Sequence, residues 1–252
     1  KKYVLLSLQT GVEFCIFVRE NLKQNNMAQE ILIIGESGQG KSTSLRNLNP
    51  KETFIINVAK KPLPFKGWKA NYTQFSKDNP NGNVASTDSM PMVIKTIEHI
   101  KANLPHIKTI VIDDANYLMQ NEYIRRGNES GFAKFTDIGV GFAKVFQALK
   151  TLGDDIYVVM MMHPEVDVDT FGNKVYRAKS IGKLVTNYLT IEGMFSIVLY
   201  TKVIKNDKGV LTYHFSTQSD GTNTAKSPMS MLDPLEPNDL KLIFEKIEQY
   251  NN

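Results

Sequence analysis

Residues Gly35-Glu36-Ser37-Gly38-Gln39-Gly40-Lys41-Ser42 have the form G-x-x-x-x-G-K-[ST], directly after the apolar run Ile31-Leu32-Ile33-Ile34. Glycines at these places let successive backbone N–H groups turn inward around a phosphate chain. Lys41 then reaches the β- and γ-phosphates, and the Ser42 hydroxyl is a ligand for Mg2+. With Thr43 the expected nucleotide-binding stretch is 35–43, and the expected ligands are ATP and Mg2+. A buried strand before the loop and a helix after it, from near Lys41 through Thr43, Leu45 and Leu48, would aim a positive helix end at the phosphates.

A second pattern, Ile110-Val111-Ile112-Asp113-Asp114, is apolar and ends in acid, the form of a Walker B strand. Asp113 is the candidate metal ligand opposite Ser42, acting through water. Asp114 is a candidate to orient or deprotonate the attacking water; a solvated strand-end carboxylate is the alternative for it. His163, in Met161-Met162-His163-Pro164-Glu165, ends a further apolar run and is a candidate sensor of the γ-phosphate, with a hydrogen-bonded loop histidine as the alternative. Glu165 is a second candidate carboxylate by proximity alone. Lys226, in Thr222-Asn223-Thr224-Ala225-Lys226-Ser227-Pro228, is a candidate cation finger on the γ-phosphate of its own or a neighbouring subunit.

These residues meet only if several strands end at one edge of a sheet. Thr53–Val58, Thr109–Ile112 and Ile156–Met162 read as further strands, and Met92–Leu104, Phe142–Leu152 and Asp239–Tyr250 as amphipathic helices. Between them, Lys60–Phe65 cannot be regular structure, and 67–89 reads as a loop. Strands alternating with helices point to a parallel sheet covered on both faces. Phe195–Val203 and Val210–Ser216 flank Asn206-Asp207-Lys208-Gly209, a hairpin read as antiparallel strands extending that sheet. The expected class is α/β, a mostly parallel sheet flanked by helices with an antiparallel extension on the C-terminal side.

The 252 residues suffice for one such domain, expected over 27–252. Residues 1–26 read as an extension or as sequence from upstream of a start at Met27, and Leu5–Val18 within it is apolar enough for an extra strand or helix. Thirty Lys and Arg against 26 Asp and Glu leave a charge of +4, which permits a nucleic-acid partner without arguing for one. Cys15 is the single cysteine, so an internal disulfide and a Cys-rich zinc site are excluded, as suits a reducing cytoplasm. No apolar run reaches the roughly 18 residues of a membrane span, so no membrane is expected among the partners. Arg125, Arg126, Lys174, Arg177, Lys179 and Lys183 are candidate contacts to nucleic-acid phosphates, with ordinary solvated loops as the alternative.

The blocks GESGQGKST at 35–43, TIVIDDANYLM at 109–119, GFAKFTDIG at 131–139, IGKLVTNYLTIEGMFSIVLYTKV at 181–203 and TQSDGTNTAKSP at 217–228 carry a resemblance. The sequence resembles bacteriophage-encoded P-loop ATPases with a RecA-like core, of the single-strand annealing or recombination type. That resemblance implies ATP hydrolysis with Mg2+ in the cytoplasm of an infected bacterial host, single-stranded DNA as a candidate partner, and assembly into rings or filaments. One departure stands out: RecA-type proteins place a catalytic Glu at the end of the strand after the P-loop helix, and here that strand ends in Asn57-Val58-Ala59-Lys60-Lys61. Two rival readings remain, an annealing module with ATP as a structural ligand and a small-molecule P-loop kinase.

Overall fold

The computed structural model describes residues 28–168, 170–182 and 189–252, with two short strands near the N-terminus, β1 (Leu5–Ser7) and β2 (Glu13–Cys15), paired antiparallel. The site rests on an eight-stranded sheet. Its parallel part comprises β3 (Gln29–Ile34), β4 (Thr53–Asn57), β5 (Val84–Ala85), β6 (Thr109–Asp113), β7 (Tyr157–Met162) and β10 (Ile197–Lys205). Two antiparallel strands, β11 (Leu211–Ser216) and β12 (Leu235–Pro237), extend it past β10. The spatial order is β12-β11-β10-β3-β7-β6-β4-β5. This is the expected α/β, RecA-like layout of a mostly parallel sheet with an antiparallel C-terminal extension.

The central strands are apolar on both faces because both faces are covered. Leu32, Ile34, Ile112, Met160 and Met162 pack against α2 (Met90–Asn103), α3 (Asn116–Arg125) and α4 (Ala133–Leu149). On the opposite face Ile31, Ile33, Val111, Val159 and Met161 meet the turn after the P-loop and α5 (Leu240–Asn251). Helical spacing places Val93, Ile97 and Ile100 of α2, and Ile243, Phe244 and Ile247 of α5, on the buried sides. Asp239 caps α5 by accepting a bond from the Lys241 N–H.

Several elements depart from the sequence reading. After the P-loop the chain forms a six-residue 3-10 helix, Ser42–Asn47, rather than a helix running through Leu48. Pro50 disfavours helical backbone at Asn49, and Leu48 is already extended at φ −68° and ψ 151°. The stretch 67–89 is not all loop: α1 (Trp68–Asn71) and β5 lie within it, both too short to leave a periodic signature. Helix α4 starts at Ala133 rather than near Phe142. Strand β10 pairs in parallel with β3, so the antiparallel extension begins at β11.

The largest departure follows His163. Residues expected as loop form a hairpin, β8 (Pro164–Val168) paired with β9 (Lys174–Ala178), standing apart from the main sheet. Its apolar residues escaped a strand reading because they face solvent: Val166 is 53% and Val168 59% exposed.

Candidate functional site

All the parallel strands end at one edge, and chain order there decides which side chains meet. β7 lies between β3, which feeds the P-loop, and β6, which carries the acids. The residue after β7 therefore emerges between the two halves of the site, and that residue is His163. Ile34 pairs with Met162 and Ile112 with Met160, so Asp113 and Asp114 follow the last apolar residue of β6 at the level of Met161 and Met162.

The P-loop turns under close constraint. A Cβ on Gly35 would lie 1.7 Å from Thr201 Oγ1 on β10, so only glycine fits against that neighbour. Gly40 has φ +94°, a left-handed conformation that favours glycine, and a Cβ there would sit 3.1 Å from Asn238 Oδ1. Gln39 ties the loop down: its Oε1 accepts from Thr201 Oγ1 at 3.0 Å and from the Glu36 N–H at 3.2 Å. Glu36, Ser37 and Gly38 are exposed at the crest. Lys41 is buried beneath, its Nζ donating to the carbonyls of Gly35 at 2.7 Å and Glu36 at 3.2 Å. Burial lowers its pKa, against the opposing pull of Asp114 and Asp113.

Ser42 and Asp113 lie 71 residues apart in sequence and touch here, with Ser42 Oγ donating to Oδ2 at 2.8 Å and reaching Oδ1 at 3.0 Å. Burial, and then the charge of Asp114, raise the Asp113 carboxyl to about 6; the Ser42 bond and Lys41 act the other way. A buried carboxylate beside a hydroxyl offers hard oxygen donors, which fits Mg2+ with its other positions taken by phosphate and water. Among the described residues no group of three or more His, Cys, Asp and Glu is arranged to hold a metal.

Asp114 occupies a strained position, at φ +59° and 8% exposed. Lys61 Nζ donates to its Oδ2 at 3.0 Å. His163 Nε2 lies 3.2 Å from Oδ1, close enough to pair with it when the imidazole is protonated. Burial raises the Asp114 pKa, but His163 and Lys61 outweigh it and bring it to about 2. Asn116 Oδ1 accepts the His163 backbone N–H at 3.2 Å, and the Tyr117 ring stands edge-on to the imidazole at 6.0 Å.

The structure thus brings together Lys41, Ser42, Asp113, Asp114 and His163. It leaves other candidates outside. Lys226 exchanges both backbone hydrogen bonds with Val198, at the start of β10, and its side chain is exposed; no hydrogen bond or ion pair described for it reaches the P-loop. Glu165 sits on β8, where it accepts from Ser180 at 3.4 Å. Arg125 pairs with Asp88 and Glu122, and Arg126 with Glu129 and Asp137, so neither is a free phosphate contact. Arg177 pairs with Asp167 at 3.4 Å, whereas Lys174 and Lys179 are exposed on the hairpin. Lys183 falls outside the described residues, as do the side chain of Cys15 and the proposed start at Met27.

Three residues absent from the sequence reading belong here. Lys61 carried a signal, a cation just past the strand end already singled out for lacking Glu. Thr201 and Asn238 had no motif; Asn238, 3% exposed, faces Gly40, and its Nδ2 has no partner. Beside the P-loop a cleft of about 270 Å³ is lined by Gly35, Glu36, Thr201 and Lys202 and by Pro164 and Tyr176 of the hairpin. A larger cleft of about 720 Å³ opens at the opposite, N-terminal edge of the sheet near Gln29, Thr53 and Tyr157, away from these groups.

Comparison with known proteins agrees with the fold. A family model described as an AAA domain matches residues 27–229, most of the chain and all of the site except Asn238. No curated protein matches the sequence.

Proposed function

The chain belongs to the AAA domain family, and on that premise we propose that it is an Mg2+-dependent ATPase whose turnover serves phage DNA recombination, annealing or replication. The Ser42–Asp113 contact beneath the P-loop carries the reading, since a hydroxyl and a carboxylate side by side are donors that the Mg2+ of a nucleoside triphosphate would take. Bound there, Mg2+ supplies charge neutralisation on the phosphate oxygens. Lys41 holds the β- and γ-phosphates, Asp114 orients the attacking water, and His163 reports the γ-phosphate through its place between the two halves of the site.

The β8–β9 hairpin is the proposed DNA-contacting element. Phe171 is 88% exposed at its turn, Tyr176 is exposed on β9, and Lys174 and Lys179 add cations, the combination that suits stacked bases and backbone phosphates of a single strand. His163 leads directly into this hairpin, so a change at the γ-phosphate has a short route to it. In a ring or filament in the bacterial cytoplasm, exposed Lys226 is available to a neighbouring subunit. Among the described residues no helix is long and apolar enough to cross a membrane.

Phosphate release from ATP, with and without single-stranded DNA and with Lys41→Ala as control, tests the proposal. Turnover that depends on Lys41 and rises with DNA supports it; Lys41-independent turnover refutes it. One observation favours a second reading, in which ATP is chiefly a ligand: a carboxylate near pKa 2, held by Lys61 and His163, is a weak general base. Tight ATP binding with no turnover under either condition selects that reading.

A further inference from the structure

We propose that Lys61 is a second active-site cation, which Asp114 holds until the γ-phosphate of a bound nucleoside triphosphate draws it away. The inference rests on the P-loop reading above and concerns a residue that reading leaves without a role.

Lys61 is delivered by a built turn. Its backbone is closed onto the end of β4 from both directions, with Asn57 Nδ2 donating to the Lys61 carbonyl at 2.6 Å and the Lys61 N–H to Asn57 Oδ1 at 3.2 Å. Asn57 is itself in register with Asp113 on the neighbouring strand, so the turn is anchored beside the metal ligand. Among the described residues only Lys60, Asp114 and Ser230 combine a side chain with positive φ. Two of these belong to or adjoin the Lys61–Asp114 pair, Asp114 itself at φ +59° and Lys60 at φ +57°. Strain of this kind persists where the surroundings over-determine it, and it collects at ligand clamps and switches. An ordinary solvent-facing ion pair contributes little and needs no such backbone.

The contacts of Lys61 suit exchange. Nζ lies 3.0 Å from Asp114 and 5.3 Å from the Tyr117 ring, while the side chain remains 58% exposed. Lys41 is locked under its loop by two carbonyls; Lys61 has one carboxylate and a flexible four-carbon stem. The end of a triphosphate carries more negative charge than one carboxylate and competes for that ammonium. ADP lacks the competing group and leaves Lys61 on Asp114. When the pair parts, the freed Asp114 oxygen can accept a hydrogen bond from the attacking water, which links nucleotide recognition to readiness for hydrolysis.

The test is the binding of a non-hydrolysable ATP analogue and of ADP, each with Mg2+, to the wild type, Lys61→Met, Lys61→Arg, Asp114→Asn and the Lys61→Met/Asp114→Asn pair. Lys61→Met is expected to weaken the analogue roughly tenfold and ADP less than twofold, with Lys61→Arg restoring part of the loss. Asp114→Asn removes the competitor and tightens analogue binding, and that gain vanishes in the double variant. Retained ADP affinity shows that the variants fold; if Lys61→Met does not fold, the Asp114→Asn result decides alone. Equal losses for both nucleotides, no loss, or no gain in Asp114→Asn overturns the exchange. A Lys41→Ala control that binds the analogue as tightly as the wild type overturns the P-loop reading as well.

Discussion

The two halves of the site are built differently. The phosphate half is nearly contiguous: residues 35–42 form the loop, and Asp113 is its distant partner. The half proposed to handle water is assembled from the ends of three strands, with Lys61 after β4, Asp114 after β6 and His163 after β7. The first half depends on backbone N–H groups and one buried lysine, so its function is set by loop conformation. In the second, three side chains share charge, and function there depends on which pairs form. Affinity for any phosphate chain should therefore belong to the first half, and discrimination and turnover to the second.

Lys41→Ala gives the sharpest way to break that division. It should weaken both ATP and ADP by about a hundredfold or more, because it deletes the proposed charge-assisted contact with the β-phosphate in a buried setting. Asp114→Ala should leave ADP affinity within about twofold while turnover falls at least tenfold, measured as single-turnover phosphate release. Similar losses of ADP affinity in both variants would erase the distinction between the halves.

Gly35→Ala sharpens the comparison from the side of folding. Its Cβ would meet Thr201 Oγ1 at 1.7 Å, so the P-loop or β10 must shift, at a cost of about 1–3 kcal/mol by chemical denaturation. Adding Thr201→Ala should recover part of that loss, since the overlap is largely with the hydroxyl. Asp114→Ala, with no comparable overlap to create, should shift the unfolding midpoint less than Gly35→Ala does.

The smallest effect is expected far from both halves. Glu30 on β3 is 6% exposed, its Oε1 lacks a partner, and burial raises its pKa from 4.5 to about 7 despite Lys150. Between those values the folded chain binds more protons than the unfolded one, so this group makes stability fall as pH rises from about 4.5 to about 7. Glu30→Gln should flatten that dependence and raise the melting temperature above pH 7, with nucleotide affinity unchanged. A fall in stability at pH 8 would show that the carboxylate has a favourable partner there.

The legible parts of the molecule share a physical character. Strands β3, β6 and β7 announce themselves because burial on both faces makes them continuous apolar runs, and α2 and α5 because one buried side imposes helical spacing. The β8–β9 hairpin is hidden because β8 buries neither face and β9 reaches the core only through Ala178 at its end. The 3-10 turn reads as a longer helix because Leu45 and Leu48 fit either geometry, whereas the chain is already extended at Leu48. A lysine in a Pro-rich loop reads as solvated, and only the neighbouring strand supplies the acid that pairs with Lys61.

By itself the sequence determined the phosphate loop, the acid-ending strand and the α/β alternation, because each depends on residues close together in the chain. Only the tertiary structure decided that β7 runs between the P-loop strand and the acid strand, that Lys61 reaches Asp114 and that Lys226 lies away from the cluster. Those outcomes depend on strand order and on contacts between segments more than fifty residues apart, such as Lys61 with Asp114, which local spacing does not encode.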